Sequence, residues 1–148
     1  MRLELITLTG PKYEADAYEV MLPTVQGNIA VLPGHMPLVT LVTGGVLGVR
    51  RHKGDDAIEY YAINGGIAEI GGNKVSLLVD EADHADELIT SEVRQALEAA
   101  QAAKAKAKDQ LELDKAQAMV DRQTVRLKVA ELRRHHRERS PEINSDRL

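Results

Sequence analysis

Residues 63–83 read INGGIAEIGGNKVSLLVDEAD, two short apolar runs bounded by glycine-rich turns. The runs, at residues 67–70 and 75–79, are rich in Ile, Val and Leu, and the turns are NGG at 64–66 and GGN at 71–73. Glycine and asparagine tolerate the positive φ angles that tight hairpin turns require. The stretch therefore predicts a β-hairpin within a domain of short strands.

The same alternation of short apolar runs and turns occupies the whole first half of the chain. Strands are predicted at residues 3–6, 18–22, 38–42, 46–49, 58–63, 67–70 and 75–79. Seven or more short strands at this spacing favour an all-β sandwich or flattened barrel. Because the chain has no Phe and no Trp, its core is expected to consist of Leu, Val and Ile. A domain of about 85 residues buries a modest fraction of its surface, so we expect its stability to depend on a partner.

The second half of the chain has a different composition. All 11 glycines of the 148 residues precede residue 73, and residues 91–140 contain neither Gly nor Pro. Apolar residues recur there at helical spacing, at Val93, Ala96, Leu97, Ala100, Ala103, Ala107 and Leu111 and then at Ala116, Val120, Leu127 and Ala130. This stripe predicts two helices. Thr90 or Ser91 is expected to cap the first, and Asp114 with Gln117 to begin the second.

These differences predict an α+β protein with two domains. Residues 1–86 are assigned to an N-terminal β-sandwich domain, residues 87–138 to a domain of two helices, and residues 139–148 to a flexible polar tail. The helical stripe is rich in alanine, so it buries little apolar area per turn while its helix propensity stays high. A hairpin folded near residues 109–114 and one long rod both remain open.

Composition excludes several classes of protein. The 19 Lys and Arg residues against 23 Asp and Glu give a net charge of −4, which argues against a general nucleic-acid binder. The absence of Cys excludes disulfide bonds, thiolate metal sites and cysteine nucleophiles. No apolar run approaches the roughly 18 residues of a membrane-spanning helix. We therefore expect a soluble chain.

Three candidate sites have structural explanations. Residues 66–74 superficially resemble a phosphate-binding loop, but the local pattern is strand, turn, strand rather than strand to helix. His35 lies in a rigid turn between two prolines and is interpreted as a structural histidine that bonds to backbone. His84 has no second ligand pair and is interpreted as part of a solvated linker between the domains. The sequence thus predicts no catalytic residue, no metal site and no cofactor.

The end of the last helix is predicted to form a positive surface. Its basic residues are Arg122, Arg126, Lys128, Arg133, Arg134, Arg137 and Arg139. A solvated helix face, a nucleic-acid surface and a contact with an acidic protein are the three interpretations. No aromatic residue is interleaved for base stacking, which disfavours nucleic acid. An acidic protein fits better, because clustered Arg favours bidentate contacts with carboxylates.

Three stretches together resemble the epsilon subunit of F-type ATP synthases, the equivalent of the mitochondrial delta subunit. They are GNIAVLPGHMPLVT at residues 27–40, the opening stretch at 63–83, and RLKVAEL at 126–132. The resemblance spans nearly the whole chain in order and implies a β-sandwich followed by an α-helical hairpin. It implies a non-catalytic rotor subunit of the central stalk that couples ring rotation to ATP synthesis in a proton-translocating enzyme. The helices of such a subunit restrain ATP hydrolysis.

The resemblance also implies partners, a location and contact residues. The partners are the gamma subunit, the c-ring and the catalytic beta subunits, and the membrane is reached only through the ring. By position, the loop that faces the c-ring consists of Gln26, Gly27, Asn28 and Ile29. The structural signature loop consists of Leu32, Pro33, Gly34 and His35. The residues that would contact the acidic head subunits are Arg122, Arg126, Arg133, Arg134 and Arg137. The expected location is peripheral, on the cytoplasmic face of a bacterial plasma membrane or the stromal side of a plastid thylakoid.

Some members of this family bind regulatory ATP through an Ile/Leu-Asp-x-x-Arg-Ala pattern. Residues 89–96 keep only Arg94 of that pattern, as a weak remnant, and Ser91 or Thr90 replaces the acid. We therefore expect no strong ATP binding. Two other functions stay open: a stand-alone adaptor that presents a basic helical hairpin to an acidic protein partner, and a small hydrolase centred on His35.

Overall fold

The computed structural model describes residues 1–139 of the chain, with side chains described as far as His135. Within this range, ten strands come first and two α-helices follow. The strands are β1 (Arg2–Thr7), β2 (Gly10–Asp16), β3 (Glu19–Thr24), β4 (Gly27–Val31), β5 (Leu38–Val42), β6 (Gly45–Arg50), β7 (Glu59–Ile63), β8 (Gly66–Gly71), β9 (Lys74–Val79) and β10 (Ala82–His84). A 3₁₀ turn, Ala85–Glu87, leads to α1 (Thr90–Ala105) and α2 (Gln110–Arg139). The polar tail that the sequence predicts lies, from residue 140 on, outside the described residues.

The strands form one continuous sheet that folds over into two packed layers. Its order is β10-β7-β6-β3-β5-β8-β9-β1-β2, with β4 also paired to β3. β3 meets β5 through the single pair Thr24 and Val42, so the sheet turns a corner there. The rings of Tyr13 on β2 and Tyr61 on β7 stack edge to face with centroids 5.7 Å apart, which brings the outer strands of the two layers together. The predicted sandwich or flattened barrel is confirmed.

The core between the layers is aliphatic, as the missing Phe and Trp predict. Its largest fully buried side chains are Leu3, Leu5, Leu22, Leu47 and Leu77, with Val20, Val31, Val49, Val75 and Val79. These residues alternate with outward-facing ones along each strand, the period-2 pattern of a strand with one buried face. The opening stretch forms the β8–β9 hairpin, and Gly72 and Asn73 both adopt a φ of 58° in its turn.

Three strands were not predicted from the sequence: β2, β4 and β10. β2 begins with Gly-Pro and is half polar, because it lies at the edge of the sheet and has no fully buried residue, although Tyr13 packs against the core. β4 is also mostly exposed and pairs with β3 alone. β10 has three residues, too few for a periodic pattern.

The helices form an antiparallel hairpin, which decides between the two arrangements left open by the sequence. Arg94 near the start of α1 pairs with Glu131 near the end of α2 at 3.4 Å. The predicted caps are wrong. Ile89 precedes α1 without a side-chain cap, and α2 begins at Gln110, where Asp109 Oδ1 accepts a hydrogen bond from the Glu112 amide at 2.8 Å. The connection therefore lies at residues 106–109, slightly earlier than expected.

The hairpin docks against the sandwich through a second, small apolar cluster. Val129 of α2 is fully buried there beside Ala130, and Val93 of α1 joins them. The sandwich side supplies Ala62 of β7, and the connecting segment supplies Ala85 and Leu88. This cluster contains three alanines, so it stabilises the docked arrangement much less than the main core stabilises the sandwich.

The two glycines that bound β8 provide a matched test of this packing. A Cβ added to Gly66 would meet the Leu78 carbonyl oxygen at 2.0 Å, whereas one added to Gly71 would be 3.7 Å from its nearest neighbour. Gly66→Ala should therefore lower the free energy of unfolding by about 2 kcal/mol or more. Gly71→Ala should change it by less than about 0.5 kcal/mol. Urea denaturation measures both, and equal stability of the two variants would contradict the close backbone approach.

Candidate functional site

Three arginines of α2 form ion pairs with carboxylates at the end of the sandwich. Arg122 Nη2 lies 2.7 Å from Glu81 Oε2, and Arg126 Nε lies 3.4 Å from Asp83 Oδ2. Arg133 Nε lies 2.9 Å from Asp86 Oδ1. The basic residues of the last helix therefore face an acidic stretch of the same chain. We call these three pairs the arginine seam.

The spacing of the three ion pairs in the arginine seam is explained by the rise per residue of a helix and of a strand. Arg122, Arg126 and Arg133 are four and seven residues apart, which places them on one helix face. Four residues of helix rise about 6 Å, and two residues of strand span about 6.6 Å. Glu81 and Asp83 are two residues apart on either side of buried Ala82, so successive arginines meet successive carboxylates. The helix and the strand are in register.

The seam is partly exposed and loosely bonded. Side-chain exposure in the seam ranges from 25% for Arg126 to 64% for Asp86. The Nε atoms of all three arginines are buried without a hydrogen-bond partner in the described structure, so the contacts are ionic rather than aligned. Arg133 Nη1 also donates to the Ala85 carbonyl oxygen at 3.4 Å. Each pair is therefore weaker than a bidentate one and can be exchanged for another carboxylate.

The connection between the domains is pinned to the sandwich. Lys12 Nζ of β2 donates to both carboxylate oxygens of Glu87, at 2.7 and 2.8 Å. The Glu87 carboxylate also accepts from the His84 amide, and His84 Nδ1 accepts from the Asp86 amide at 3.0 Å. The hydrogen bond from Lys12 holds the pKa of the Glu87 carboxyl below its usual range.

His84 is not in a solvated linker, contrary to the sequence interpretation. It ends β10, and its imidazole ring packs edge to face against Tyr61 with centroids 4.8 Å apart. The side chain is 24% exposed. It acts as a cap for the 3₁₀ turn that starts the connection to the helices.

The expected ring-facing loop is only partly a loop. Gln26 lies in the turn after β3, whereas Gly27, Asn28 and Ile29 belong to β4 and pair with β3. Gly27 has a φ of 111°, and the Thr24 hydroxyl donates to its carbonyl oxygen at 2.6 Å. The turn therefore presents an exposed tip on a rigid hairpin.

The structural signature loop is at the other end of β4. Leu32, Pro33 and Gly34 are exposed, and Gly34 has a φ of 82°. The amide of His35 donates to the Leu32 carbonyl oxygen at 3.1 Å, and its Nδ1 lies 2.7 Å from the Met36 carbonyl oxygen. His35 bonds to backbone, as the sequence interpretation proposed.

The remaining predicted residues are on the helices. Arg94 bridges α1 to Glu131 of α2 through the ion pair that orders the hairpin. Arg134 is exposed on α2. Arg137 belongs to α2, but its side chain lies outside those that the structure describes. The arginines expected to form one group are thus divided between the seam and the end of the helix.

The sandwich carries an exposed apolar row that sequence reasoning missed. Leu41, Ile67 and Leu78 are paired across β5, β8 and β9 and are 57%, 48% and 51% exposed. Val25, whose amide donates to the Leu41 carbonyl oxygen, extends the row and is 60% exposed. The signal was available in LVTLV at residues 38–42, which is apolar at outward as well as inward positions. We call these four residues the apolar row.

The acidic half of the seam was also missed. Residues 80–87 read DEADHADE, in which five of the eight residues are Asp or Glu, including the Glu87 that pairs with Lys12. Among the described residues, no group of His, Asp and Glu is arranged to hold a metal ion. No described helix is long and apolar enough to cross a membrane.

Comparisons with known proteins decide the family. Residues 1–85 match the family described as ATP synthase, Delta/Epsilon chain, beta-sandwich domain. The ATP synthase epsilon chain of Moorella thermoacetica is 35% identical over 130 residues, which cover 88% of this chain and 96% of that protein. The chain belongs to the ATP synthase epsilon family. The chloroplastic ATP synthase epsilon chain of Piper cenocladum is 36% identical over 104 residues, which cover 69% of this chain and 76% of that protein.

A chain in a solved structure has the same fold. A chain of the Euglena gracilis mitochondrial ATP synthase aligns with a TM-score of 0.74 and 23% identity, over 87% of this chain and 79% of that one. The resemblance seen in the three sequence stretches is confirmed. The protein is a non-catalytic central-stalk subunit of an F-type ATP synthase, part of a membrane-associated complex.

The pinned connection gives a pH-dependent prediction. Because the folded-state pKa of Glu87 is depressed, its contribution to stability is present above its unfolded pKa of about 4.3 and is lost as the pH falls through the folded value. The wild type should therefore exceed Glu87→Gln in stability at pH 7, and the difference should disappear as the pH falls through the folded-state pKa of Glu87. Lys12→Gln, the matched control, should show the same deficit at pH 7. A difference that is constant with pH, measured by urea denaturation, would contradict the ion pair.

Proposed function

We propose that this epsilon-family subunit couples ring rotation to ATP synthesis through residues 1–86 and restrains ATP hydrolysis through residues 87–138. The observation that carries the second part is the arginine seam. Arg122, Arg126 and Arg133, which the family resemblance assigns to the acidic head, are occupied by the chain's own carboxylates. The docked hairpin is therefore the state in which these side chains are withheld from the catalytic beta subunits.

Weak docking is what a releasable arm requires. Partly exposed ion pairs contribute about 0–1 kcal/mol each, and the apolar cluster that supports them is rich in alanine. A competing acidic surface offers the same arginines equivalent partners, so it can shift the population toward an extended hairpin. Restraint of hydrolysis then depends on whether the seam or the head holds these arginines.

The apolar row supports the gamma subunit as the partner of the sandwich. Leu41, Ile67 and Leu78 lie side by side on the outer face of β5, β8 and β9, and Val25 in the turn after β3 extends this face, which the helical hairpin does not cover. Contiguous exposed apolar side chains of this kind mark protein interfaces. A sandwich held on the rotor shaft through this face would turn with it.

The tip of the β3–β4 hairpin supports the c-ring contact. Gln26, Gly27 and Asn28 are exposed, and Ile29 is half-buried behind them. The hydroxyl of Thr24 fixes the turn from within the sandwich, so the tip is a rigid edge suited to transmitting torque. Asn28 makes this edge neutral.

We also propose the cytoplasmic face of a bacterial plasma membrane, or the stromal face of a thylakoid, as the location. Relatives of similar identity come from a bacterium and from a chloroplast, which supports both options. We propose in addition that the complex couples proton transport, rather than transport of another ion, to ATP synthesis. The exposed leucine and valine residues of the sandwich face proteins in this arrangement, so contact with the membrane is made through the ring.

The two halves of the seam predict opposite effects on hydrolysis. Neutralising the carboxylates with Glu81→Gln, Asp83→Asn and Asp86→Asn loosens docking but leaves the arginines available to the head. ATP hydrolysis by the assembled complex should fall. Neutralising Arg122, Arg126 and Arg133 to Gln also loosens docking but removes the contacts to the head, so hydrolysis should rise.

The control for both triple variants is Lys115→Gln, an exposed basic position of α2 that is outside the seam. It should leave the hydrolysis rate at its wild-type value. The proposal predicts opposite signs for the two triple variants, measured in the same purified complex at low salt. Changes of the same sign would contradict the assignment of a single set of arginines to two alternative partners.

The apolar row yields a separate prediction about assembly. Leu41→Asp with Ile67→Asp places two charges on the outer face of the sandwich while leaving its core unchanged. The variant should fold but be retained in the purified ATP synthase at a fraction of the wild-type amount. Leu111→Asp, at a position of α2 that is 63% exposed, is the control and should be retained fully. Full retention of the double variant would exclude this face as the gamma contact.

A further inference from the structure

A groove with a volume of about 330 Å³ lies between the sandwich and α2, away from the arginine seam. Its floor is the outer face of β3, β4 and β6, and its wall on the other side is formed by Lys128 and Leu132 of α2. The volume lies at the lower end of the range for small-molecule sites. Neither the catalytic head nor the rotor is needed to form it.

Small residues in one row across the sheet create the groove. Ala30, Met21, Gly48 and Tyr60 are neighbours on β4, β3, β6 and β7. The Met21 side chain lies over Gly48, since a Cβ at Gly48 would come within 2.6 Å of the Met21 methyl carbon, and the small Ala30 side chain leaves a recess on the other side of Met21. Lys128 of α2 is exposed at the rim of this recess.

The residues that line the groove include one positive charge and no negative charge. The seam gives Arg122, Arg126 and Arg133 a carboxylate each, but Lys128 on the same helix has no ion-pair partner among the described residues. No acidic residue lines the groove. The amide of Asn28 adds a second hydrogen-bond donor to the lining. An apolar trough with one unpaired ammonium group complements a molecule with an aliphatic body and a single anionic end.

We propose that this groove binds an amphipathic monoanion, an unbranched aliphatic carboxylate, with its chain over Met21 and Ala30 and its carboxylate at Lys128. Because the sandwich and α2 each supply part of the site, the ligand binds the docked hairpin only. By mass action, it stabilises that arrangement. The site belongs to the folded chain itself, so it is tested without the ATP synthase complex, and its failure would leave the proposed function untouched.

The test is calorimetric titration of the full chain with dodecanoate below its micelle-forming concentration. Saturable binding at one site per chain is expected. Dodecyltrimethylammonium, which has the same aliphatic chain and the opposite charge, should show no saturable binding. Lys128→Gln should weaken dodecanoate binding by roughly two- to fivefold, the range of a partly exposed ion pair. Lys115→Gln, the matched control on the same helix, should leave the affinity unchanged.

A second variant fills the groove without altering charge. Ala30 is exposed on the outer face, so Ala30→Leu should fold normally, as shown by an unchanged circular dichroism spectrum, and should abolish binding. Unsaturable uptake of dodecanoate, equal binding of the cationic probe, or wild-type affinity in Ala30→Leu would each overturn the site.

Discussion

The contact between α2 and the acidic end of the sandwich is the interaction on which the two-domain arrangement depends. Arg122, Arg126 and Arg133 meet carboxylates in register, and fully buried Val129 anchors the helix between them. The apolar contribution is small, since three of the six buried residues in the docking cluster are alanines. The ion pairs are partly exposed and not aligned as hydrogen bonds. A contact built in this way positions the hairpin without strong stabilisation, which agrees with the regulatory role that we propose for it.

The sandwich, in contrast to the docked hairpin, is held together by a large buried core. Its ten strands enclose a core of fully buried Leu and Val, and its turns are set by glycines, of which Gly66 has no room for a side chain. Docking of the hairpin adds little to this core, because the two apolar clusters are separate. One chain therefore combines a rigid block that can carry torque with an arm whose position can respond to its surroundings. The division of glycine along the sequence, none beyond residue 72, reflects this difference.

Local signals in the sequence predicted most of the fold, whereas non-local pairing decided the site. The β8–β9 hairpin, the aliphatic core and the helical second half follow from turn residues and periodicity. β2 was missed because an edge strand needs no alternation, and the start of α2 was missed because Asp109, rather than Asp114, caps it. The basic surface was recognised, but its partners Glu81 and Asp83 are about forty residues away in sequence. Neither composition nor spacing on one element reveals which of two acidic surfaces holds an arginine.

We infer that ion pairs hold the hairpin against the sandwich in a state that can be released. The chain has no cysteine, so Glu69→Cys on β8 and Lys115→Cys on α2 introduce two unique sites for spin labels. Pulsed electron paramagnetic resonance then measures the distance between the two labels at about 0.01 and 1 M NaCl. The Debye length falls from about 30 to 3 Å between these salt concentrations, so exposed ion pairs are screened at the higher one. We expect one short distance at low salt and a second, longer population at high salt. A single unchanged distance at both salt concentrations, in a folded chain, would show that the ion pairs do not control docking of the hairpin.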